Sequence, residues 1–114
     1  MNYEQARAYA VNVSRSGSIL GLDSIENLMH ELGDIQERLK IIHIAGTNGK
    51  GSTGAYLERV LIEAGYRVGR YSSPAVFDPM EVWRINLQSM SHEEYADIME
   101  QVKCACDRMV EKGM

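Results

Sequence analysis

The stretch that decides the fold runs over residues 41–53 and reads Ile41-Ile42-His43-Ile44-Ala45-Gly46-Thr47-Asn48-Gly49-Lys50-Gly51-Ser52-Thr53. Its first five residues are mostly apolar and rich in β-branched side chains, which is typical of a strand buried on both faces of a parallel sheet. The next seven are rich in glycine, and an amphipathic helical pattern follows them. A strand, a glycine-rich turn and a helix in this order predict an α/β fold.

The residues after the turn predict a crossover helix and a second strand. The helix runs from about Gly51 to Ala64 and ends at Gly65, and its apolar face is formed by Tyr56, Leu57, Val60, Leu61 and Ala64. The second strand covers Arg67–Ser72 and stops at Pro74. A strand, a helix and a strand form a right-handed βαβ unit, so the sheet is expected to be parallel. A third short strand is predicted over Val82–Leu87.

Two helices are predicted before the first strand. Asn2 and Gln5 have the spacing of a capping box, and they open a helix whose apolar stripe is formed by Tyr3, Ala6, Tyr9, Ala10 and Val13. The second helix begins at Asp23 and ends at Gly33, a typical C-terminal glycine. A short turn is expected over Asp34–Leu39. The predicted fold class is therefore a P-loop-type parallel sheet with flanking helices.

A long helix follows the sheet, with Ser91 and Glu94 at capping-box spacing. Its apolar stripe is formed by Tyr95, Ile98, Met99, Val102, Cys106 and Met109. Cys104 and Cys106 lie about 200° apart on such a helix, so they neither pair with each other nor chelate one metal. Cys106 is expected on the apolar face and Cys104 on the outer face. Two unpaired cysteines favour a reducing, cytoplasmic setting.

Composition excludes several classes of protein. The 114 residues are 45% hydrophobic and 25% charged, as in an average soluble domain. Twelve Lys and Arg against sixteen Asp and Glu leave a net charge of −4, which argues against a nucleic-acid partner. No apolar run is long enough for a membrane span, and the first residues show no secretory signal. Neither a nucleic-acid nor a membrane partner is expected.

The glycine-rich turn carries the chemistry. Glycines let backbone N–H groups approach an anion, and the following helix directs its positive end towards it. Lys50 adds a full charge for the β- and γ-phosphates, and Ser52 or Thr53 adds a hydroxyl. The common phosphate-loop pattern requires glycine where Ile44 stands and Ser or Thr where Gly51 stands, so the match is imperfect. Nucleotide phosphate binding is the prediction, and a plain strand-to-helix turn is the alternative.

The amino-acid sequence of this turn strongly resembles the ATP loop of folylpolyglutamate and dihydrofolate synthases, which belong to the Mur ligase superfamily. The resemblance continues on both sides of the loop, in Leu20-Gly21-Leu22-Asp23-Ser24-Ile25, in Glu63-Ala64-Gly65-Tyr66-Arg67-Val68-Gly69, in Ser72-Ser73-Pro74 and in Arg84-Ile85-Asn86. It covers essentially the whole chain. It implies an α/β fold that forms the N-terminal part of a Mur-ligase-like ATP-binding domain.

The resemblance also implies cofactors, partners and site residues. The cofactors are ATP and Mg²⁺, and the substrates are folate or dihydropteroate together with glutamate. The implied activity is an ATP-dependent ligation of glutamate to folate through an acyl phosphate. Lys50 is the implied catalytic residue, and Ser73 the implied Mg²⁺ ligand. The implied nucleotide-binding residues are Gly46, Thr47, Asn48, Gly49, Lys50, Gly51, Ser52 and Thr53.

Two departures from the family pattern qualify these expectations. Ala75 and Val82 stand where the family has His and Arg, although Glu81 is retained. Enzymes of this family are also much longer, so residues 1–114 are expected to form a single partial ATP-binding domain, without the rest of the central domain and without the C-terminal domain. The chain alone is expected to be inactive and to self-associate. The alternatives are an unrelated P-loop NTPase and a non-catalytic nucleotide-binding or interaction module.

Overall fold

A computed structural model of the chain describes residues 1–15, 21–46, 48–73 and 78–113. These residues form the helices α1 (Tyr3–Ser14), α2 (Asp23–Glu31), α3 (Lys50–Glu63) and α4 (His92–Glu111), the strands β1 (Gly69–Tyr71), β2 (Trp83–Ile85) and β3 (Gln88–Ser89), and short 3₁₀ helices at Ile35–Arg38 and Pro79–Val82. They divide into a helical unit, made of residues up to Lys40 and from His92 on, and a central unit, Ile41–Ser91. Within the described ranges, none of the helices combines the length and the apolar character that a membrane crossing demands.

The first helix of the helical unit begins at the capping pair that the sequence predicts. Asn2 Oδ1 accepts a hydrogen bond from the Gln5 N–H at 2.8 Å, and Gln5 Oε1 accepts one from the Asn2 N–H at 2.9 Å. The pair satisfies two backbone donors near the start of the helix. In the predicted stripe Ala6 is fully buried, whereas Val13 is exposed near the end of the helix.

The second helix and the turn after it also follow the sequence. Helix α2 begins at Asp23, as predicted, and the chain leaves it through Gly33, whose φ of +92° lies in the region that favours glycine. The expected turn over Asp34–Leu39 is a single 3₁₀ turn, Ile35–Arg38. Local signals were sufficient for both elements.

Helix α4 packs against both α1 and α2. Its predicted stripe is confirmed at Tyr95, which is buried, but Ile98 is exposed, and Ala105, which lies outside the predicted stripe, is fully buried. Cys106 is half-buried and Cys104 exposed, and both thiols are free, as their helical separation predicts.

A charged cluster joins the ends of α2 and α4. Arg108 Nε donates to Glu31 Oε2 at 3.1 Å, Arg108 Nη2 donates to the Glu31 carbonyl oxygen at 3.0 Å, and Lys112 Nζ donates to Glu31 Oε1. The hydrogen bonds from Lys112 and Arg108 lower the pKa of Glu31 below its ordinary value of 4.5. The ionised form of Glu31 therefore stabilises the contact between the two helices.

We expect this contribution to depend on pH. Because the pKa is lower in the folded chain, the contribution is complete above the ordinary value of 4.5 and is lost as the pH falls through the folded pKa. The free energy of unfolding of the wild type should exceed that of Glu31→Gln at neutral pH and converge with it in acid. Urea unfolding followed by far-ultraviolet circular dichroism at a series of pH values measures both. A gap between the two proteins that is independent of pH would contradict the assignment.

The sheet of the central unit is antiparallel. Strand β1 pairs with β2 in the register Gly69↔Ile85, Arg70↔Arg84 and Tyr71↔Trp83, and β2 pairs with β3. The predicted strand over Ile41–Ala45 is not formed, and the expected parallel pairing is absent among the described residues. Ile41 and Ile42 are 69% and 62% exposed, because the described strands pair with one another rather than with this segment.

The second and third strands form a tight hairpin that the sequence prediction missed. The predicted strand Val82–Leu87 is shortened to β2, because Asn86 and Leu87 adopt φ values of 48° and 70° and turn the chain into β3. Asn86 fixes this turn: its N–H donates to the Val68 carbonyl oxygen, and its Oδ1 accepts from the Val68 N–H, both at 2.8 Å. The missed signal is the asparagine, which tolerates a positive φ better than most residues.

Candidate functional site

The glycine-rich turn leads directly into helix α3. Gly46 has a φ of +147°, Gly49 is the N-cap residue with a φ of +74°, and Lys50 is the first residue of the helix. The predicted nucleotide-binding residues thus lie in one continuous segment, although Thr47 is outside the described residues. The described ones are exposed: Gly46, Asn48, Gly49, Lys50, Gly51, Ser52 and Thr53.

The start of α3 differs electrostatically from the start of the other α-helices in the described chain. Acidic residues occupy the first turn of α1, α2 and α4, but none occupies the first turn of α3. The N-cap residue Gly49 also has no side chain to accept a hydrogen bond from the first turn. The positive end of the α3 dipole therefore has no anion supplied by its own first turn, which is the arrangement found at anion-binding helix termini.

The space around the glycines is open. Among the described residues, a methyl group built at Gly49 or Gly51 would meet no neighbouring atom within 4 Å, and one at Gly46 would meet the Asn48 carbonyl oxygen at 3.9 Å. The positive φ values favour glycine at positions 46 and 49. At Gly51 the backbone sets no such requirement, so the missing side chain there leaves the first turn of the helix accessible. The described donors of this segment fit a triphosphate: backbone N–H groups, the Lys50 ammonium and the hydroxyls of Ser52 and Thr53.

The proposed metal ligand follows the first strand. Ser73 is exposed and lies two residues beyond the end of β1. The described residues contain no group of three His, Cys, Asp or Glu side chains that could enclose a metal ion. Magnesium usually retains several waters and is bound through substrate phosphates and one or two protein oxygens. A serine hydroxyl has the chemistry of one such protein oxygen.

A buried ion cluster connects the middle of helix α3 to strands β1 and β2. Glu58, in the middle of α3, has a side chain only 2% exposed, and its Oε1 accepts from Arg70 Nη1 at 3.2 Å and from Arg84 Nη2 at 2.8 Å. The second amino group of Arg70, Nη2, donates to the Gly51 carbonyl oxygen at 3.1 Å. This cluster is the feature of the site that the sequence interpretation missed.

The cluster also corrects the predicted face of α3. Tyr56 and Val60 were expected to be buried, but they are 76% and 63% exposed, and Glu58 is buried instead. The side of α3 that meets the sheet meets two arginines, and the carboxylate of Glu58 satisfies their charge better than an apolar side chain would. The sequence offered no clear signal, since Glu58 is followed by the charged Arg59, and its partners became evident only with the antiparallel register.

The loop that departs from the family pattern is described only in part. Ala75 and Phe77 lie outside the described residues. Glu81 Oε1 accepts from the Asp78 N–H at 3.1 Å, and Asp78 Oδ1 accepts from the Met80 N–H at 2.8 Å, so the two carboxylates cap the second 3₁₀ helix. Val82 ends this helix and is half-buried. In the described structure, therefore, Glu81 has a structural role.

Comparisons with known proteins agree with the resemblance. No protein-family profile matches the chain. A dihydrofolate synthase/folylpolyglutamate synthase from Bacillus subtilis is 37% identical over 101 residues, which cover 89% of this chain and 24% of that protein. The apo form of the L. casei folylpolyglutamate synthase superposes with a TM-score of 0.91 and 30% identity over 99% of this chain and 28% of that one.

A structure of folylpolyglutamate synthase in complex with AMPPCP and folate also matches, with a TM-score of 0.84 and 30% identity over 99% of this chain and 28% of that one. The chain thus spans about a quarter of the length of the relatives that it matches. The α/β fold expected from the resemblance is confirmed by these superpositions. By sequence and by fold, the chain matches an N-terminal segment of the folylpolyglutamate synthase/dihydrofolate synthase family.

Proposed function

We propose that this chain is the ATP-binding segment of a ligase that joins glutamate to a folate. The observation that carries the proposal is the glycine-rich turn at the start of α3, where Lys50 stands beside a helix terminus without an acidic residue in its first turn. A triphosphate is the anion whose size and charge suit such a set of donors. The AMPPCP and folate complex of a folylpolyglutamate synthase supports the choice of ATP and of a folate.

Each residue of the segment has a distinct role in this proposal. The Lys50 ammonium neutralises charge on the β- and γ-phosphates and stabilises the charge that develops during phosphoryl transfer. The hydroxyls of Ser52 and Thr53 donate to phosphate oxygens. Backbone N–H groups, together with the Asn48 amide, form the rest of the cradle, which comprises Gly46, Thr47, Asn48, Gly49 and Gly51.

Ser73 is proposed as a magnesium ligand. Bound Mg²⁺ would neutralise part of the charge of the phosphates. Ser73 would supply one neutral oxygen, so its contribution is to orient the metal rather than to hold it alone.

The proposed reaction has two steps. A carboxylate oxygen of a folate or of dihydropteroate attacks the γ-phosphorus of ATP, which releases ADP and forms an acyl phosphate. The amine of glutamate then attacks the acyl carbon, an amide bond forms, and inorganic phosphate leaves. The segment described here serves the first step by positioning and charge neutralisation. In this proposal residues 1–114 form part of one Mur-ligase-like ATP-binding domain of a cytoplasmic enzyme.

Calorimetry of the 114-residue chain tests the proposal. Because Lys50 contacts the outer phosphates, MgATP should bind measurably and AMP, which lacks those phosphates, should not. A coupled assay for ADP release with a folate and glutamate should show no turnover by this chain alone, since the proposed site holds only the phosphate cradle. Equal affinity for AMP and MgATP, or no binding of MgATP, would contradict the phosphate site.

The same calorimetric titration, repeated at several MgCl₂ concentrations, tests whether Ser73 is a magnesium ligand. Ser73→Ala should raise the MgCl₂ concentration needed for ATP binding while leaving binding at saturating MgCl₂ nearly unchanged. An identical MgCl₂ dependence in the two proteins would remove Ser73 from the proposed metal site.

A further inference from the structure

The guanidinium of Arg70 connects three elements of the central unit. Arg70 is the middle residue of β1. Its Nη1 donates to Glu58 Oε1 at 3.2 Å, and its Nη2 donates to the Gly51 carbonyl oxygen at 3.1 Å. One planar side chain thus ties the strand to the middle of α3 and to the first turn of the same helix, directly after Lys50. An arginine suits this position because its donors are held in a rigid fork.

The place of this guanidinium is itself determined by its neighbours. The Arg70 side chain is 16% exposed, and it lies across the strand pair from Arg84, which shares Glu58 Oε1. Two like charges in direct cross-strand register repel each other unless a counter-ion lies between them. Glu58 supplies that counter-ion, and the cluster retains a net charge of one cationic group.

Helix α3 approaches the guanidinium closely at Gly54. A Cβ built there would lie 3.3 Å from both Nε and Nη2 of Arg70 and 3.5 Å from Cζ. Gly54 lies inside a helix, where glycine is less favourable than alanine. Glycine at position 54 therefore has a local explanation: it leaves room for the Arg70 guanidinium, which donates to the Gly51 carbonyl oxygen.

We propose that Arg70 is a positioning residue for the phosphate-binding turn: it holds the first turn of α3 in place through the Gly51 carbonyl oxygen, and Glu58 and Arg84 hold Arg70. This inference rests on the proposed phosphate site. Positions 49–54, from the N-cap residue to the second turn of α3, contain three glycines and no side-chain cap, so the local sequence does little to keep the N–H groups of the first turn in one arrangement. The contact from Arg70 supplies that constraint from outside the helix.

The test uses the whole 114-residue chain and two measurements. Hydrogen exchange, followed by nuclear magnetic resonance without nucleotide, measures how firmly the amides of residues 50–54 are held. Calorimetry with MgATP measures binding. Arg70→Met, which keeps the length of the side chain but removes its donors, should speed exchange at these amides more than at residues 60–63 and weaken MgATP binding about tenfold, the effect of one charge-assisted hydrogen bond.

Arg59→Met is the matched control. Arg59 lies on the same helix and carries the same charge, but it forms an exposed pair with Glu63 at 3.3 Å and does not belong to the cluster. Its substitution should leave both measurements nearly unchanged. If Arg59→Met weakened MgATP binding as much as Arg70→Met, the effect would be one of net charge, and the positioning role would be overturned.

Arg70→Lys separates positioning from simple structural support. A lysine has a single ammonium, so it can pair with Glu58 but does not reach the Gly51 carbonyl oxygen with the same fork. We expect it to recover most of the resistance to urea that Arg70→Met loses while leaving exchange at residues 50–54 fast and MgATP binding weak. Recovery of all three properties by lysine would overturn the proposal in favour of a purely structural ion pair.

Gly54→Ala disturbs the same contact from the helix side while leaving Arg70 in place, and alanine favours the helix interior. Its methyl group should displace the guanidinium by a few tenths of an ångström, at the 3.3 Å contacts, and weaken MgATP binding while the chain resists urea at least as well as the wild type. Unchanged exchange and unchanged binding in Gly54→Ala and Arg70→Met would overturn the positioning role. Absence of MgATP binding by the wild type would instead overturn the proposed function, and the exchange data would still report whether Arg70 holds the turn.

Discussion

Lys50→Ala should remove most of the affinity of the chain for MgATP. The ammonium is the only full positive charge within the segment 46–53, and it stands at the first position of a helix whose first turn has no acidic residue. Losing a charge-assisted contact to phosphate costs about 2 kcal/mol, which corresponds to a weakening of about 30-fold. Calorimetry with MgATP measures the loss, and circular dichroism verifies that the helices remain.

Lys40→Ala is the control for this change, because it removes the same charge from an exposed lysine outside the turn. It should bind MgATP like the wild type. In a ligase that contains this segment, Lys50→Ala should also abolish turnover, since the same contact stabilises the transferring phosphoryl group. A folded Lys50→Ala chain that bound MgATP normally would remove this lysine from the site.

Glu58→Ala should destabilise the central unit more than any surface substitution. It would leave the guanidinium groups of Arg70 and Arg84 facing each other without their carboxylate, although both side chains are largely buried. Removing one partner of a buried ion pair costs about 3–5 kcal/mol, a large part of the stability of an ordinary domain. Urea unfolding followed by the fluorescence of Trp83, the single tryptophan of the chain, reports on this unit because Trp83 lies in β2.

Glu58→Gln is the matched variant for this experiment. It keeps the size of the side chain and one oxygen that accepts hydrogen bonds, so it should lower the free energy of unfolding less than alanine does. If Glu58→Gln lowered the free energy of unfolding as much as Glu58→Ala, the loss would come from the missing charge alone. A Glu58→Ala chain with the urea midpoint of the wild type would contradict the view that this cluster supports the central unit.

Elements with local signals were predictable from the sequence. The capping pair Asn2 and Gln5, the start of α2 at Asp23, the exit through Gly33 and the start of α3 within one residue all depend on neighbours a few positions away. Helix ends are determined by such short-range hydrogen bonds and by the backbone preferences of glycine. The position of the glycine-rich turn at the start of α3 followed from the same kind of signal.

The sheet was less predictable because strand pairing is not local. The apolar run Ile41–Ala45 has the composition of a buried strand, yet in the described residues it is largely exposed and lacks a pairing strand. Two features were not evident: β1 pairs with β2 across the intervening positions 72–82, and the turn at Asn86 and Leu87, which joins β2 to β3, includes a leucine at positive φ. Composition describes how a segment would be buried, and it does not identify the neighbour that buries it.

The candidate site was likewise predictable only where its residues are neighbours in the sequence. The segment 46–53 was predicted from its own residues, whereas the contact between Arg70 and Gly51 spans 19 positions and required the fold to be known. The nucleotide-binding roles of these residues and the metal role of Ser73 remain predictions for the experiments above.

The division of the chain into two units has a consequence for the order in which it can fold during synthesis. The helical unit needs residues from both ends of the sequence, because α1 and α2 pack on α4, whereas the central unit is one continuous stretch, Ile41–Ser91. On the ribosome α1 and α2 emerge before α4 and lack this partner until α4 has been translated, 80 residues after α2 ends. The central unit is one continuous stretch that is complete once Ser91 has been translated, 20 residues before the end of α4, so it can mature while α1 and α2 still expose apolar side chains to chaperones.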